Sequence, residues 1–227
     1  MKEPKLKKTP STPATTFTST TTIPTNTKLP LLLAFISGWA DVLSVKSFKM
    51  YSNMMTGNWV NLSSRIVSQD YADMALVAAT LFVFSVGYAI FRYVDRLRSK
   101  TNMQLLAVVL FALFSTVDKL RNDDPVARWP VLLIASGSGV ANALSASSSV
   151  KVTNMMTGHL MKISSDVADY AYRGTTAQQL KGTYVSVRVI FCFCSGAALC
   201  VWCNLQHQYM FTMIGAMYAA IIVVYSQ

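Results

Sequence analysis

Apolar residues along this chain come in long blocks separated by short polar stretches. The blocks lie roughly at 29–48, 74–94, 103–118, 129–149, 183–203 and 209–225. Each approaches the ~20 residues that a helix needs to cross a ~30 Å hydrocarbon core, so the pattern predicts six membrane spans. The third block is short, and the first and fourth are diluted by Ser and Gly with one Asp or Asn. Small residues of this kind let helices approach closely inside a bundle. In the polar stretches after the first and fourth blocks the apolar spacing changes to threes and fours, at Trp59, Leu62 and Ile66 and again at Leu160, Ile163 and Val167. That spacing predicts a short amphipathic helix at each place.

The stretch before the first block, residues 1–28, is built from Thr, Ser, Pro and Lys with no apolar run. It cannot bury enough surface to order itself and is expected to be a disordered cytoplasmic tail. Only 13% of the chain is charged, against 52% hydrophobic; a soluble domain carries about a quarter charged residues. Lipid is therefore the expected partner. The net charge of +10 does not point to nucleic acid, because the basic residues flank apolar blocks and form no basic helix. Basic side chains gather in the tail, at Arg92, Arg96, Arg98 and Lys100, and at Lys151, Lys162, Arg173 and Lys181. Cytoplasmic loops are the basic ones, so both termini are expected inside the cell.

The chain contains a duplication. "NMMTGN" at 53–58 returns as "NMMTGH" at 154–159, and residues 37–66 lie on 138–167 without a gap, 13 of 30 positions being identical. Chance would give roughly two. A weaker echo relates "FSVGYA" at 84–89 to the sequence around Gly196 and requires extra residues in the loop between. Each copy then holds three spans, residues 29–120 and 121–227. Because three is odd, the second copy starts on the opposite face from the first. The predicted fold class is thus all-α, a polytopic membrane protein of six transmembrane helices as a 3+3 inverted-topology repeat, with short amphipathic helices after each Met-Thr-Gly. Secondary transporters share that plan, with sites near the midplane where the copies meet.

The small-residue helix with an acidic residue (Ala34 to Asp41), Met55-Thr56-Gly57-Asn58, Asn142-Ala143 and Met156-Thr157-Gly158 resemble the YoaK-type integral membrane proteins, a mostly bacterial family labelled as a domain of unknown function. The resemblance covers about residues 29–225 and implies a six-span helical membrane protein, with no established substrate or reaction.

Asp41 is the most informative single residue. It lies about halfway along the first span, where a charge is costly and faces a cavity or a partner. Its repeat mate is Asn142, with Ser44 and Ser145 a turn further on. Two readings are open. Asp41 can hold a proton or cation, with Asn142, Ser44 and Ser145 as neutral ligands, or Asp41 and Asn142 can form a packing hydrogen bond. Asn53 and Asn154 open the two motifs. Thr56 and Thr157 are expected N-caps, with Gly57 and Gly158 permitting the turn, so that helix N-termini are offered to an anion or a polar solute end. His159 replaces Asn58 in the second copy and brings a side chain that titrates near neutral pH. A simple span starting near Pro30 has risen roughly 30 Å by residue 50, which puts the two motifs on opposite faces as paired gates. Only a re-entrant chain brings them to one midplane site.

Cys192, Cys194, Cys200 and Cys203 occupy one apolar stretch without a zinc-like second pair and read as packing residues, as do the Met pairs. No cofactor or metal is implied. The sequence has no HExxH, no Gly-x-Ser-x-Gly and no His cluster, so an enzyme is not expected. The expected function is a small-solute transporter or permease, with a structural or regulatory membrane protein as the alternative.

Overall fold

The computed structural model describes residues 28–97, 99–147, 156–173, 177–202 and 209–226. The tail lies outside these, apart from Lys28, as do Asn154 and Cys203. Among the described residues there are eight α-helices and no strand: α1 (Lys28–Phe48), α2 (Met55–Val67), α3 (Tyr71–Arg96), α4 (Lys100–Asp123), α5 (Val131–Ser147), α6 (Met156–Arg173), α7 (Ala177–Trp202) and α8 (Met210–Tyr225). Four have the length and apolarity to cross a membrane: α1, α3, α4 and the Lys181–Trp202 part of α7. The fourth and sixth apolar blocks form the shorter helices α5 and α8, of 17 and 16 residues. At 1.5 Å per residue these are roughly 25 Å long. The third block, short in hydropathy, belongs to a helix of 24 residues, because α4 continues through the mostly polar stretch Lys119 to Asp123.

The apolar surface faces outward. Phe82 of α3, Leu105 of α4 and Phe191 of α7 are 69%, 63% and 71% exposed. The interior instead holds Ser37, Gly38, Ala40, Asp41 and Ser44 of α1, and Gly137, Ser138, Gly139, Ala141 and Ser145 of α5. Large apolar side chains such as Phe48, Phe91, Phe114 and Phe211 are buried there as well, and long helices that also carry large apolar side chains on their outer faces form a bundle solvated by lipid. The chain is a multi-pass helical membrane protein.

Contacts at helix ends set the helix directions. Arg128, just before α5, donates from Nε to the carbonyl of Phe48 at the end of α1 (3.1 Å). It also pairs with Asp73 in the first turn of α3 (2.5 Å). The ring of Phe48 packs against Phe211 at the start of α8 (5.7 Å). Asp118, near the end of α4, accepts from the N–H groups of Phe211 (3.2 Å) and Thr212 (2.6 Å). At the other end, Arg92 of α3 donates to Ser147 of α5 (3.0 Å), and Tyr225 of α8 donates to Asp95 of α3 (3.4 Å). The ends of α1 and α4 therefore share a face with the starts of α3, α5 and α8, while α3, α5 and α8 end on the opposite face.

The closest helix pairs are α1 with α7, α3 with α5, and α4 with α8. In the first two pairs glycines press on a backbone carbonyl. A Cβ at Gly38 would lie 2.1 Å from the Phe193 oxygen, and one at Gly139 the same distance from the Phe84 oxygen. Gly196 meets the Phe35 oxygen and Gly87 the Ser136 oxygen, each at 2.0 Å from such a Cβ. Only glycine allows this approach. The contacts correspond. Gly139 and Ser136 follow Gly38 and Phe35 by 101 residues, and Phe193 and Gly196 follow Phe84 and Gly87 by 109. The amphipathic helices obey the same exchange, α2 lying on α3 and α6 on α7.

Candidate functional site

Asp41 sits seven residues before the end of α1 at Phe48, roughly 10 Å below it along the axis. Lys49 stops the helix in the left-handed region (φ 58°), its N–H still bonded to the Val45 carbonyl (3.0 Å). The chain then turns back toward the depth of Asp41. The N–H groups of Ser52 and Asn53 donate to Asp41 Oδ1 at 2.9 and 2.7 Å, and the Ser52 hydroxyl donates to the same oxygen at 3.1 Å. Met54 N–H also faces the carboxylate. A second clasp closes the hairpin, in which Tyr51 N–H donates to Asn58 Oδ1 (3.1 Å) and Asn58 Nδ2 donates to the Tyr51 carbonyl (2.7 Å). Asn58 is fully buried. The first Met-Thr-Gly motif thus follows a re-entrant segment rather than a simple exit to one face.

Asn53 carries the connection onward. Its Oδ1 accepts from Asn142 Nδ2 of α5 (3.1 Å), and that amide also donates to the Ser138 carbonyl (2.9 Å). The hydroxyls of Tyr218 of α8 and Ser37 of α1 lie 3.3 Å apart, and the Tyr218 hydroxyl also faces Asn53. Asp41, Asn53 and Asn142 therefore belong to one buried network fed by α1, the hairpin, α5 and α8. The packing hydrogen bond between Asp41 and Asn142, one of the two readings open in the sequence, does not form directly. Asn53 stands between them, because the hairpin folds back into the space that separates α1 from α5.

Three buried oxygens in this region make no hydrogen bond among the described residues: Asp41 Oδ2, Ser44 Oγ and Ser138 Oγ. A buried polar atom left unmet costs about 1–3 kcal/mol. Ser44 follows Asp41 by three residues on α1, and Ser138 precedes Asn142 by four on α5, so each shares a helix face with its network partner. Ser145 is also buried on α5.

The remaining expected residues lie elsewhere. α2 begins at Met55 with Met54 at the cap position and no side-chain capping bond, so Thr56 is inside the first turn and is not the N-cap. The turn is closed instead by Met55 N–H to Asn53 O and Gly57 N–H to Met54 O, both 3.0 Å. Gly57 gives room to the Tyr51 ring, which a Cβ would approach to 2.6 Å. Thr157 and Gly158 are likewise within the first turn of α6. His159 is buried, and its Nδ1 lies 3.1 Å from Ser186 Oγ of α7, so it serves the α6–α7 contact. Asn154 lies outside the described residues. Arg92 reaches Ser147, and Arg188 stacks over the ring of Tyr184 at 5.5 Å.

Ser52, Tyr218 and Ser186 were not singled out by the sequence. Ser52 adjoins the motif and a tight turn there was its only signal. Tyr218 is masked by the apolar run around it.

Among the described residues no group of three His, Cys, Asp or Glu side chains is placed to hold a metal ion. Neither a curated protein nor a solved structure matches the chain. Residues 29–225 match the family described as "Protein of unknown function (DUF1275)", and the chain belongs to that family.

Proposed function

We propose that the chain is a carrier for a small solute, built from two inverted copies of three spans each, at residues 29–120 and 121–227. Both termini would lie in the cytoplasm, and α2 and α6 would rest in opposite interfaces. The reading is supported by the reciprocal glycine contacts at offsets of 101 and 109 residues and by the alternating helix directions. The observation that carries the function is Asp41. It is a buried carboxylate deep in an apolar bundle, bonded through one oxygen and unmet at the other, linked through Asn53 to the other copy. Ionisable groups at such depth belong to ion and proton pathways. Asp41 would hold a proton or cation, and Asn53 and Asn142 would join the copies around it. Nothing in the network has the nucleophile–base arrangement of an enzyme, and we read the chain as a non-enzyme.

The test is a proteoliposome uptake screen of small solutes under proton and sodium gradients, with Asp41→Asn alongside. Gradient-driven uptake should occur in the wild type and lose its dependence on the gradient in the variant. Intact ion and pH dependence in Asp41→Asn would sink the coupling role. One observation favours a second reading: Asp41 Oδ1 is wholly engaged in holding the hairpin, as a structural anchor would be. A scaffold of that kind would show no uptake of any solute.

A further inference from the structure

The hairpin that Asp41 holds has the chemistry of an anion receptor. Successive N–H groups, of Ser52 and Asn53, converge on a single oxygen at 2.9 and 2.7 Å. The Ser52 hydroxyl adds a third donor, and Met54 N–H faces the same carboxylate. Consecutive backbone N–H groups turned into one concavity bind anions. Here the anion is a side chain of the protein itself, and the fit is incomplete, because Oδ2 of that side chain is buried and meets no donor.

No described cation acts on Asp41, whose surroundings comprise apolar burial and the donors of Ser52, Asn53 and Met54. From α8 the titratable group facing this network is Tyr218, and α5 contributes the neutral Asn142. α7 packs on α1 through backbone, Phe193 and Ala197 against Gly38. An unpaired negative charge at this depth is costly. The site is therefore built to carry one negative charge, held by uncharged N–H and O–H donors.

We propose that this receptor takes small oxyanions, carboxylates or nitrate-like ions, and that Asp41 is their resident substitute. The proposal rests on the carrier reading above and names its substrate class. A proton taken up by Asp41 neutralises the carboxylate and frees the N–H groups of Ser52 and Asn53, and the solute anion accepts from them. Before the exchange the site holds Asp41 as carboxylate; afterwards it holds neutral Asp41 and the bound anion. The site charge is minus one in both states, so the low-dielectric interior never has to accept a second negative charge. One proton enters with each anion and one leaves with it.

The experiment uses the full chain in detergent, weakly buffered, with a pH indicator, titrated with sodium formate and sodium nitrate and with glycerol as the uncharged control. Anion binding should take up one proton per anion, and affinity should fall about tenfold per pH unit once Asp41 is ionised in the free protein. Asp41→Asn should abolish the proton uptake. Ser52→Ala keeps the backbone donors, so the one-proton stoichiometry should persist with binding weakened about three- to tenfold; this variant and the wild type carry the test should Asp41→Asn not fold. Binding without proton uptake, or uptake that persists in folded Asp41→Asn, overturns the proposal, as does failure to bind either anion. In that last case the uptake screen separates the two readings. Flux of an uncharged solute removes only the anion class, and absence of all flux removes the carrier reading as well.

Discussion

The two amphipathic helices start from nearly the same words, "MTGN" and "MTGH", yet are fastened by different chemistry. In α2, Asn58 turns back onto the hairpin and clasps Tyr51, and Arg65 reaches Asp73 of α3 (3.3 Å). In α6 the equivalent of Asn58 is His159, which reaches across to Ser186 of α7, and the equivalent of Arg65 is Asp166. Asp166 accepts from the Thr183 hydroxyl of α7 and pairs with Lys162 one turn away (2.9 Å). The charge on the docking residue has reversed. The glycine–carbonyl contacts between the long helices, by contrast, are the same in both places to within 0.1 Å. A helix backbone pressed on another backbone admits no side chain, so one solution serves both helix pairs. A polar fastening needs only a donor and an acceptor of suitable reach, and many pairs satisfy it.

The strongest way to break this equivalence is to fill the glycines. Gly38→Val and Gly139→Val each drive a side chain into a carbonyl and should cost about 3 kcal/mol. The loss would appear as lower melting temperature and less monodisperse protein in detergent. Similar losses in both variants are expected; wild-type melting of Gly139→Val would end the claim that α3–α5 repeats α1–α7. The polar centre should be less even. Asp41→Ala strands the buried N–H groups of Ser52 and Asn53 and should cost about 3 kcal/mol, whereas Asn142→Ala removes a single link to Asn53 and should cost about 1 kcal/mol. Hydrogen exchange at residues 52 and 53 should accelerate much more in the first variant. Equal acceleration would mean that α5 holds the hairpin as firmly as Asp41 does.

Much of the frame was legible because lipid solvation writes itself into hydropathy. The apolar blocks became helices, and Asp41 and Asn142, which the sequence alignment pairs, lie in one hydrogen-bonded network through Asn53. The limits have physical causes. Hydropathy sees hydrocarbon, so it could not see α4 continue through Lys119 to Asp123 beyond it. The re-entrant turn had no glycine or asparagine at its left-handed position, which a lysine takes at residue 49. Thr56 looked like a cap by composition, but backbone turns from Asn53 and Met54 already meet the first amides of α2. The bridging role of Asn53 depends on how far the hairpin folds back, a tertiary distance that no local pattern encodes.

The smallest expected effect separates the two fastenings by pH. Burial alone would raise the Asp166 carboxyl, but the Thr183 hydroxyl and the Lys162 ammonium outweigh it and hold Asp166 below its ordinary 3.8. A carboxylate depressed in the folded state contributes stability that is present above its ordinary value and is lost as pH falls through the lowered one. The fastening of α6 on α7 should therefore be intact at pH 7 and fade only below about pH 4. Since Lys162 is 45% exposed on its side chain, the ion-pair share is roughly a few tenths of a kcal/mol. Asp166→Ala should speed hydrogen exchange in α6 modestly at pH 7, should draw closer to the wild type as pH falls below about 4 after correction for intrinsic rates, and should leave α2 unchanged throughout. If α2 exchange rises together with α6, the two helices are coupled through the bundle, and their fastenings are not the independent solutions that their different chemistry indicates.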